Sequence, residues 1–291
     1  MSTVAYEIVD VFTDRPFAGN PLAVVFGAQA LAGDQMQALA REFHLSETVF
    51  LLPPTTPEAT YRVRIFTPEA ELPFAGHPSV GAAVTASRRG LTGVGRLIQE
   101  CGAGLLPVEV TDAGTATLTG GTPSIGSELD AGPLLALVGL SADDLLPGAA
   151  PRRAGCGLEF TYLPVVRDAL GRASADAAMA ARLGVPQISV FTWDGPARAA
   201  YARVFCPGVS VPEDPATGSA ALGLGVWLVE SGWLPGDGVA GYAVHQGVEM
   251  HRPSLLTCTV TAVGGTATAA TVSGHVVPVA RGEIAVPPFV G

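Results

Sequence analysis

The sequence predicts an α+β fold in which mixed, mostly antiparallel sheets surround helices. Strand-like runs outnumber helical runs and do not alternate regularly with them, which is typical of this class. Residues 64–83 and 203–222 also align without a gap at an offset of 139 (203 − 64), and each copy has an apolar strand, a loop and a Gly/Pro turn that opens an Ala-rich helix. We therefore expect two similar domains of roughly 140 residues each.

Apolar periodicity predicts the elements in chain order. In the first copy it predicts strands at 4–12 and 22–26, a helix over 35–43 with its apolar face in the core, a helix-to-strand junction within 44–52, a strand at 61–66, a helix over 80–86, and strands at 96–100, 106–110 and 116–118. In the second copy it predicts apolar runs at 134–138 and 158–166, a helix near 173–183, strands at 188–192 and 199–205, and a helix over about 217–231.

Turn-rich residues 122–133 predict the boundary between the domains. The first domain is then expected to span 1–122 and the second 123–277. The strand-like residues near the end of the chain, about 278–291, are expected to return to the first domain.

Net charge and composition argue against several classes of binding partner. The net charge of −10 is dispersed, which disfavours binding to nucleic acid or to an anionic membrane. There is no apolar run of the roughly 18 residues that a spanning helix needs and no signal-peptide pattern, so a cytoplasmic protein that acts on small molecules is expected.

The sequence also argues against several cofactors. All 16 basic residues are arginines, which excludes Schiff-base chemistry on a lysine, the usual anchoring of pyridoxal phosphate and the P-loop lysine. The four cysteines are far apart and predict free thiols rather than a metal site or a disulfide framework. We expect no cofactor and no metal.

The two repeated turns each predict a helix N-terminus, with unpaired N–H groups and a partial positive charge. Gly76 marks the first start, and Gly218 and Ser219 mark the second, where small residues allow an anion to approach the backbone. A carboxylate is the simplest anion that two such starts would hold.

Three polar residues beside these turns are candidates for chemistry. Glu47 lies near a helix-to-strand junction among apolar or small neighbours, where a half-buried carboxylate can accept and return a proton. His77 precedes Pro78, which suits the first helical turn, so the imidazole is expected to point away from the core. Asp214 lies opposite Ala75 in the gapless alignment, which favours a functional carboxylate over a simple turn residue.

Five segments resemble the PhzF-like family, which is named for an isomerase of phenazine biosynthesis, and together they span nearly the whole chain. The segments are DVFTDRPFAGNPLAVV (10–25), LSETVF (45–50), FTPEAELPFAGHPSVGAA (66–83), EDPATGSAA (213–221) and QGVEMHRPS (246–254). The resemblance implies a diaminopimelate-epimerase-like fold, with two similar domains, each a curled sheet around a central helix, and an active site between them.

The resemblance also implies roles for single residues. Glu47 would shuttle a proton, while His77 and Asp214 would orient and polarise the substrate. The remaining predicted substrate or anion contacts are Ser46, Gly76, Gly218 and Ser219. His251 stands where the family usually has glycine, which leaves the fit of the substrate open.

These observations predict a cofactor-independent isomerase that moves a proton, and with it a double bond, within a small unsaturated or cyclic carboxylic acid. Two alternatives stay open. One is an epimerase or racemase using Glu47 and Asp214 on opposite faces, although neither helix start carries the cysteine that racemases of this fold use. The other is a non-catalytic protein that binds small carboxylates. Association into a homodimer is also left open.

Overall fold

The computed structural model describes residues 2–208 and 211–288. The chain forms two compact units, Met1–Leu118 with Ser273–Gly291, and Thr119–Val272. The predicted domain limits at 122 and 277 lie a few residues further along the chain than these boundaries. Met1 and residues 289–291 of the predicted first domain, and residues 209 and 210 of the predicted second domain, lie outside the described residues.

The first unit begins with two strands and alternates short helices with further strands. Its elements are β1 (Thr3–Val11), β2 (Asn20–Phe26), α1 (Gly33–Phe43), β3 (Glu47–Leu52), β4 (Tyr61–Phe66), β5 (Glu71–Leu72), α2 (Gly76–Arg88), β6 (Gly95–Cys101), β7 (Gly104–Val110) and β8 (Thr115–Thr119).

The second unit has a similar succession of elements. They are β9 (Pro123–Glu128), α3 (Ala131–Leu137), β10 (Arg152–Cys156), β11 (Leu158–Pro164), α4 (Ala177–Leu183), β12 (Ile188–Asp194), β13 (Ala199–Phe205), β14 (Glu213–Asp214), α5 (Gly218–Glu230), β15 (Gly238–Gln246), β16 (Ser254–Val263) and β17 (Thr266–Ala285). The part of β17 from Ser273 onwards belongs to the first unit. The last ten residues of β17, from Val276 to Ala285, pair antiparallel with β1 of the first unit.

The two units share one order of strand pairings. In the first unit β2 and β3 are parallel with α1 between them, β3 and β4 are antiparallel, and β4 and β6 are parallel with α2 between them. In the second unit the pairs β11–β12, β12–β13 and β13–β15 repeat this order, with α4 and α5 in the connections. The predicted α+β class and the duplication are confirmed.

The predicted core face of the first helix is also confirmed. Helix α1 buries Met36 and Leu39 in a cluster with Phe50 and Phe66, and Phe43 packs against the same cluster. The apolar period of 3.6 residues therefore identifies the side of this helix that faces the sheet.

Helices α2 and α5 are enclosed by the strands of their own units. Helix α2 packs against β1, β2, β3, β6 and β7, and α5 packs against β9, β10, β11 and β16. All residues from His77 to Ala86 of α2 are buried, as are nearly all residues of α5. A helix surrounded in this way carries apolar or small residues on every face, as both sequences do.

The gapless alignment of the two copies is wrong beyond the strands. Strands β4 and β13 differ by the predicted 139 residues, but α2 begins at Gly76 and α5 at Gly218, an offset of 142 (218 − 76). The second copy therefore has three more residues between its strand and its helix. Leu72 pairs with Ile65 in the first unit and Asp214 pairs with Val204 in the second, so Asp214 corresponds to Leu72 rather than to Ala75.

An arginine-carboxylate pair supports the corrected alignment. Arg64 donates two hydrogen bonds to Glu71, from Nε at 2.7 Å and from Nη2 at 2.6 Å. Arg203 donates to Glu213 from the same two nitrogens, both at 2.8 Å. Each pair joins the long strand to the short strand that leads into the central helix, and 213 − 71 again gives 142.

The segment 122–133, predicted as a turn-rich boundary, contains regular structure. Residues Pro123–Glu128 form β9, which pairs with β10, and Asp130 caps α3 by accepting a hydrogen bond from the N–H of Gly132 at 3.0 Å. Serine, glycine and proline in this segment favour turns locally, but pairing with β10 overrides that preference. No helix in the described ranges is long and apolar enough to cross a membrane.

Glycines allow the sheet of the second unit to approach α5 closely. A Cβ atom at Gly225 would overlap the hydroxyl of Tyr242 and lie 2.9 Å from its Cζ atom. That hydroxyl is buried and donates a hydrogen bond of 2.7 Å to the carbonyl of Ala221. The absence of a side chain at Gly225 is therefore what lets Tyr242 reach the helix backbone.

We expect Gly225→Ala to lower the free energy of unfolding by about 1–3 kcal/mol, because the added methyl group overpacks a rigid core and displaces the Tyr242 hydroxyl. Urea denaturation checks this. Gly171→Ala, where a Cβ would meet open space, is the matched control. Equal stability of the two variants would contradict the packing argument.

Candidate active site

Glu47 lies at the helix-to-strand junction that the sequence predicts. Helix α1 ends at Phe43, His44 adopts a left-handed conformation with φ of 50°, and Glu47 opens β3 beside Leu22 of β2. The side chain of Glu47 is 18% exposed, and its Oε2 atom lies 3.6 Å from Nδ1 of His77. The first unit thus brings together the two candidate residues that it carries.

His77 is buried, so the expectation that its ring points away from the core is wrong. It is the second residue of α2 and is only 4% exposed, while Pro78 occupies the first helical turn as predicted. Burial lowers the pKa of His77 from 6.5 to about 3, because charging the ring in this environment would remove it from water. The ring is therefore neutral near pH 7, and its contact with Glu47 is not an ion pair.

The two ring nitrogens of His77 have different surroundings. The amide Nδ2 of Asn20 lies 3.3 Å from Nδ1. Nε2 is buried and has no hydrogen-bond partner in the part of the chain that the structure describes. A buried polar atom without a partner is costly, so such an atom at a candidate site indicates a group that a ligand would supply.

Ser46 joins this cluster through Asn20. Its hydroxyl donates a hydrogen bond of 3.2 Å to Oδ1 of Asn20, whose side chain is fully buried. Asn20 occurs in one of the family-like segments, but no local pattern distinguishes it from an ordinary turn residue. Its contacts with Ser46 and His77, which are 26 and 57 residues away in the chain, are visible only in the fold.

The loop before Asn20 is fixed by short-range constraints. Gly19 has φ of +65°, and a Cβ atom there would overlap the carbonyl of Val11 and lie 2.7 Å from Cγ2 of Thr13. The buried carboxylate of Asp10 accepts a hydrogen bond of 2.6 Å from the N–H of Phe17. These contacts determine where β2 begins and therefore where the Asn20 side chain lies.

The start of α2 has no side-chain cap. Ala75 is the N-cap residue and supplies no acceptor, so the first N–H groups of the helix are not capped by it. The carbonyl of Ala75 accepts a hydrogen bond of 2.8 Å from the Ser79 hydroxyl. That hydroxyl accepts one of 2.9 Å from Gln99, which accepts one from Tyr61. This buried chain fixes the helix start beside Gly76.

The candidate residues of the second unit surround the start of α5. Asp214 is half-buried, and its Oδ2 atom accepts a hydrogen bond of 2.6 Å from the hydroxyl of Thr217. Thr217 is the N-cap residue, but its side chain makes no capping bond to the helix. Gly218 and Ser219 follow as the first two helical residues, as the sequence predicts.

Gln246 holds this loop in place and was not identified from the sequence. It is 1% exposed, and its amide nitrogen donates to the carbonyl of Asp214 at 2.7 Å and to the Thr217 hydroxyl at 3.0 Å. Its amide oxygen accepts from the N–H of Thr217 at 3.1 Å. The following Gly247 has φ of +75°, and a Cβ there would lie 2.6 Å from the carbonyl of Pro215.

The turn after Gly247 contains His251, which is exposed and has φ of 57°. Glycine adopts this conformation without strain, whereas a histidine there carries a modest cost. Among the described residues there is no group of three His, Cys, Asp or Glu side chains placed to hold a metal ion.

A two-unit α+β fold of this kind occurs in isomerases and epimerases. Residues 9–282 match the model of the family described as phenazine biosynthesis-like protein. The chain therefore belongs to the PhzC-PhzF family and is an enzyme of the isomerase class.

Related proteins that are named as isomerases align with nearly the whole chain. An uncharacterised isomerase of Mesorhizobium japonicum is 36% identical over 98% of this chain and 99% of that protein. The trans-2,3-dihydro-3-hydroxyanthranilate isomerase of Pseudomonas aeruginosa is 34% identical over 96% of this chain and 98% of that protein.

Solved structures of this family have the same fold as this chain. A PhzF family protein of Bacillus anthracis has a TM-score of 0.88 and 25% identity, covering 98% of this chain and all of that chain. A hydroxyproline epimerase of Agrobacterium vitis has a TM-score of 0.67 at 13% identity, covering 97% of this chain and 92% of that chain, and shows likeness of fold alone. The predicted fold family is confirmed.

We expect the buried His77 to make the protein sensitive to acid. In the fold the ring stays uncharged down to about pH 3, whereas in the unfolded chain it gains a proton below about pH 6.5. The unfolded state then binds more protons, so stability falls as the pH drops from about 6.5 towards 3. In His77→Gln this contribution is absent, and the stability of the wild type relative to the variant should fall by up to about 1.4 kcal/mol per pH unit.

Chemical denaturation of both proteins at a series of pH values measures this difference. The exposed His251→Gln variant controls for the simple loss of one histidine. Parallel pH dependences of the wild type and His77→Gln would show that the ring is not held neutral by the fold.

Proposed function

We propose that this chain is a cofactor-independent isomerase that moves a proton, and with it a double bond, within a small unsaturated or cyclic carboxylic acid. The observation that carries the proposal is the pairing of the partly exposed Glu47 carboxylate with the buried, neutral ring of His77 at 3.6 Å. The uncharged ring supplies no positive charge to the carboxylate, which suits a group that must accept a proton and return it.

In this mechanism one carboxyl group is both base and acid. Glu47 removes a proton from one carbon of the substrate, and the electron pair left behind spreads through the conjugated system. The protonated Glu47 then returns the proton to a different carbon, so the double bond migrates and the substrate keeps its composition. No redox partner or co-reactant is needed.

His77 and the start of α2 bind the substrate in the first unit. His77 contacts a polar substituent or the developing negative charge through Nε2, which has no protein partner among the described residues. The N–H groups at the start of α2 hold the substrate carboxylate, and the lack of a side-chain cap at Ala75 supports this assignment. The start of α5 beside Asp214, where Thr217 makes no capping bond, is the corresponding candidate anion site of the second unit.

The substrate class follows from these contacts and from one relative. The relative named for trans-2,3-dihydro-3-hydroxyanthranilate is 34% identical over 96% of this chain. Its substrate name describes a cyclic, unsaturated carboxylic acid with amino and hydroxyl groups, which matches an anion site with a polar contact beside it. We propose this acid, or one of the same chemical class, as the substrate.

We expect Glu47→Gln to bind the acid but to lose turnover by about 10²- to 10⁴-fold in kcat, because the amide keeps the size of the side chain but cannot carry the proton. Turnover of trans-2,3-dihydro-3-hydroxyanthranilate in deuterated water gives two measurements, migration of the double bond and deuterium uptake at carbon. Glu58→Gln, at an exposed position, is the matched control and should turn over at the wild-type rate.

Other outcomes of this assay assign the chemistry differently. If Glu47→Gln kept normal exchange while Asp214→Asn lost it, Asp214 would be the base. Exchange at a carbon whose configuration inverts, without migration of the double bond, would make the enzyme an epimerase. Wild-type turnover in both variants would refute the proposal.

A further inference from the structure

Asn20 is the buried residue that connects Ser46 with His77. Its side chain is fully buried, its Oδ1 atom accepts from the Ser46 hydroxyl at 3.2 Å, and its Nδ2 atom lies 3.3 Å from Nδ1 of His77. Ser46 and His77 belong to the predicted site, whereas the sequence predicts no role for Asn20.

The side-chain amide of Asn20 determines which ring nitrogen of His77 carries the proton. An amide nitrogen can only donate a hydrogen bond, so Nδ1 of His77 must accept with its lone pair. A neutral imidazole carries one proton, which is then on Nε2. The Nε2–H group thus becomes a buried donor for which the described part of the protein supplies no acceptor.

We propose that Asn20 is a positioning residue that holds His77 as the Nε2–H tautomer, so that the neutral ring donates a hydrogen bond to the bound acid and presents only a lone pair to Glu47. This inference rests on the proposed function, because the donor has a use only when an acceptor of the substrate lies beside it.

The protonation of Nδ1 in the His77 ring affects Glu47 directly. If Nδ1 carried the proton, the N–H group would lie 3.6 Å from Oε2 of Glu47 and would favour the charged form of that carboxylate. With a lone pair on Nδ1, the ring adds no such donor. The tautomer set by Asn20 therefore keeps Glu47 a better base and gives Nε2 the proton with which it stabilises negative charge on the substrate.

The tautomer can be measured in the free protein. Nitrogen-15 NMR of histidine-labelled protein near pH 7 separates protonated ring nitrogens from those with a lone pair, and the His77→Gln variant identifies the His77 signals. We expect Nε2 to be protonated and Nδ1 to carry the lone pair. A protonated Nδ1 in the wild type, with the amide of Asn20 in the opposite orientation, would overturn the inference.

The Asn20→Asp variant tests whether Asn20 sets the tautomer of His77. A carboxylate at position 20 accepts from Nδ1–H, so Nδ1 should gain a proton in this variant. With the acid of the proposed function as substrate, we expect kcat to fall by about 10²-fold, with a smaller change in KM. The acid limb of the pH profile should move to higher pH, because a second carboxylate close to Glu47 disfavours the charged form of Glu47.

Gln37→Glu is the matched control, because it makes the same chemical change at a partly buried amide of the first unit. Gln37 donates hydrogen bonds to the carbonyls of Thr67 and Pro68, and its replacement should leave the tautomer of His77 and the position of the acid limb unchanged. If Asn20→Asp does not fold, Asn20→Ala serves instead, and its Nδ1 signal should show a mixture of both tautomers.

The outcomes separate this inference from the proposed function. An unchanged Nδ1 signal in every folded Asn20 variant, or an equal shift of the acid limb in Gln37→Glu, would refute the role of Asn20. The expected tautomer in a wild-type protein that does not turn over the acid would count against the proposed function alone, because the NMR measurement needs no substrate.

Discussion

The burial of His77 beside Glu47 is the constraint on which the rest of the candidate site depends. Because α2 is enclosed by the strands of its own unit, its second residue is kept from water and its pKa falls to about 3. The imidazole is therefore neutral, and it acts through hydrogen bonds rather than through charge. Every further role in the first unit, including those of Ser46 and Asn20, follows from how this neutral ring is held.

The duplicated scaffold carries different chemistry in its two copies. With the corrected offset of 142, His77 corresponds to Ser219 and Leu72 corresponds to Asp214. The strand pairings and the enclosed helices are the same in both units, so the core does not depend on these four side chains. A repeat can thus place an imidazole at one helix start and a carboxylate before the other without disturbing the packing that fixes both.

The sequence predicts the parts of this structure that depend on local pattern. The helix starts at Gly76 and Gly218 and the junction at Glu47 follow from turn residues and from apolar periodicity, both of which act over a few residues. The orientation of His77 was predicted wrongly, because enclosure of α2 by five strands is a tertiary property.

Contacts between residues far apart in the chain explain what else the sequence analysis did not predict. Asn20 and Gln246 are buried amides whose partners lie 26 to 57 residues away in the chain, and nothing in their neighbouring residues indicates those contacts. The three extra residues in the second copy were missed because the matched strand, prolines and small residues align at an offset of 139 as well. The pairing of Glu213 with Phe205, equivalent to that of Glu71 with Phe66, distinguishes the two alignments, as do the helix starts and the two arginine-carboxylate pairs.

Glu47 and Asp214 have different hydrogen-bond surroundings, and this difference favours one base over two. Asp214 accepts a hydrogen bond of 2.6 Å from Thr217, and Gln246 fixes the backbone around it. Glu47 instead lies beside a neutral ring. Inversion of a centre by two bases needs a proton acceptor on one face and a proton donor of similar strength on the other. Migration of a proton needs only one exchangeable carboxyl group, which is the role proposed for Glu47.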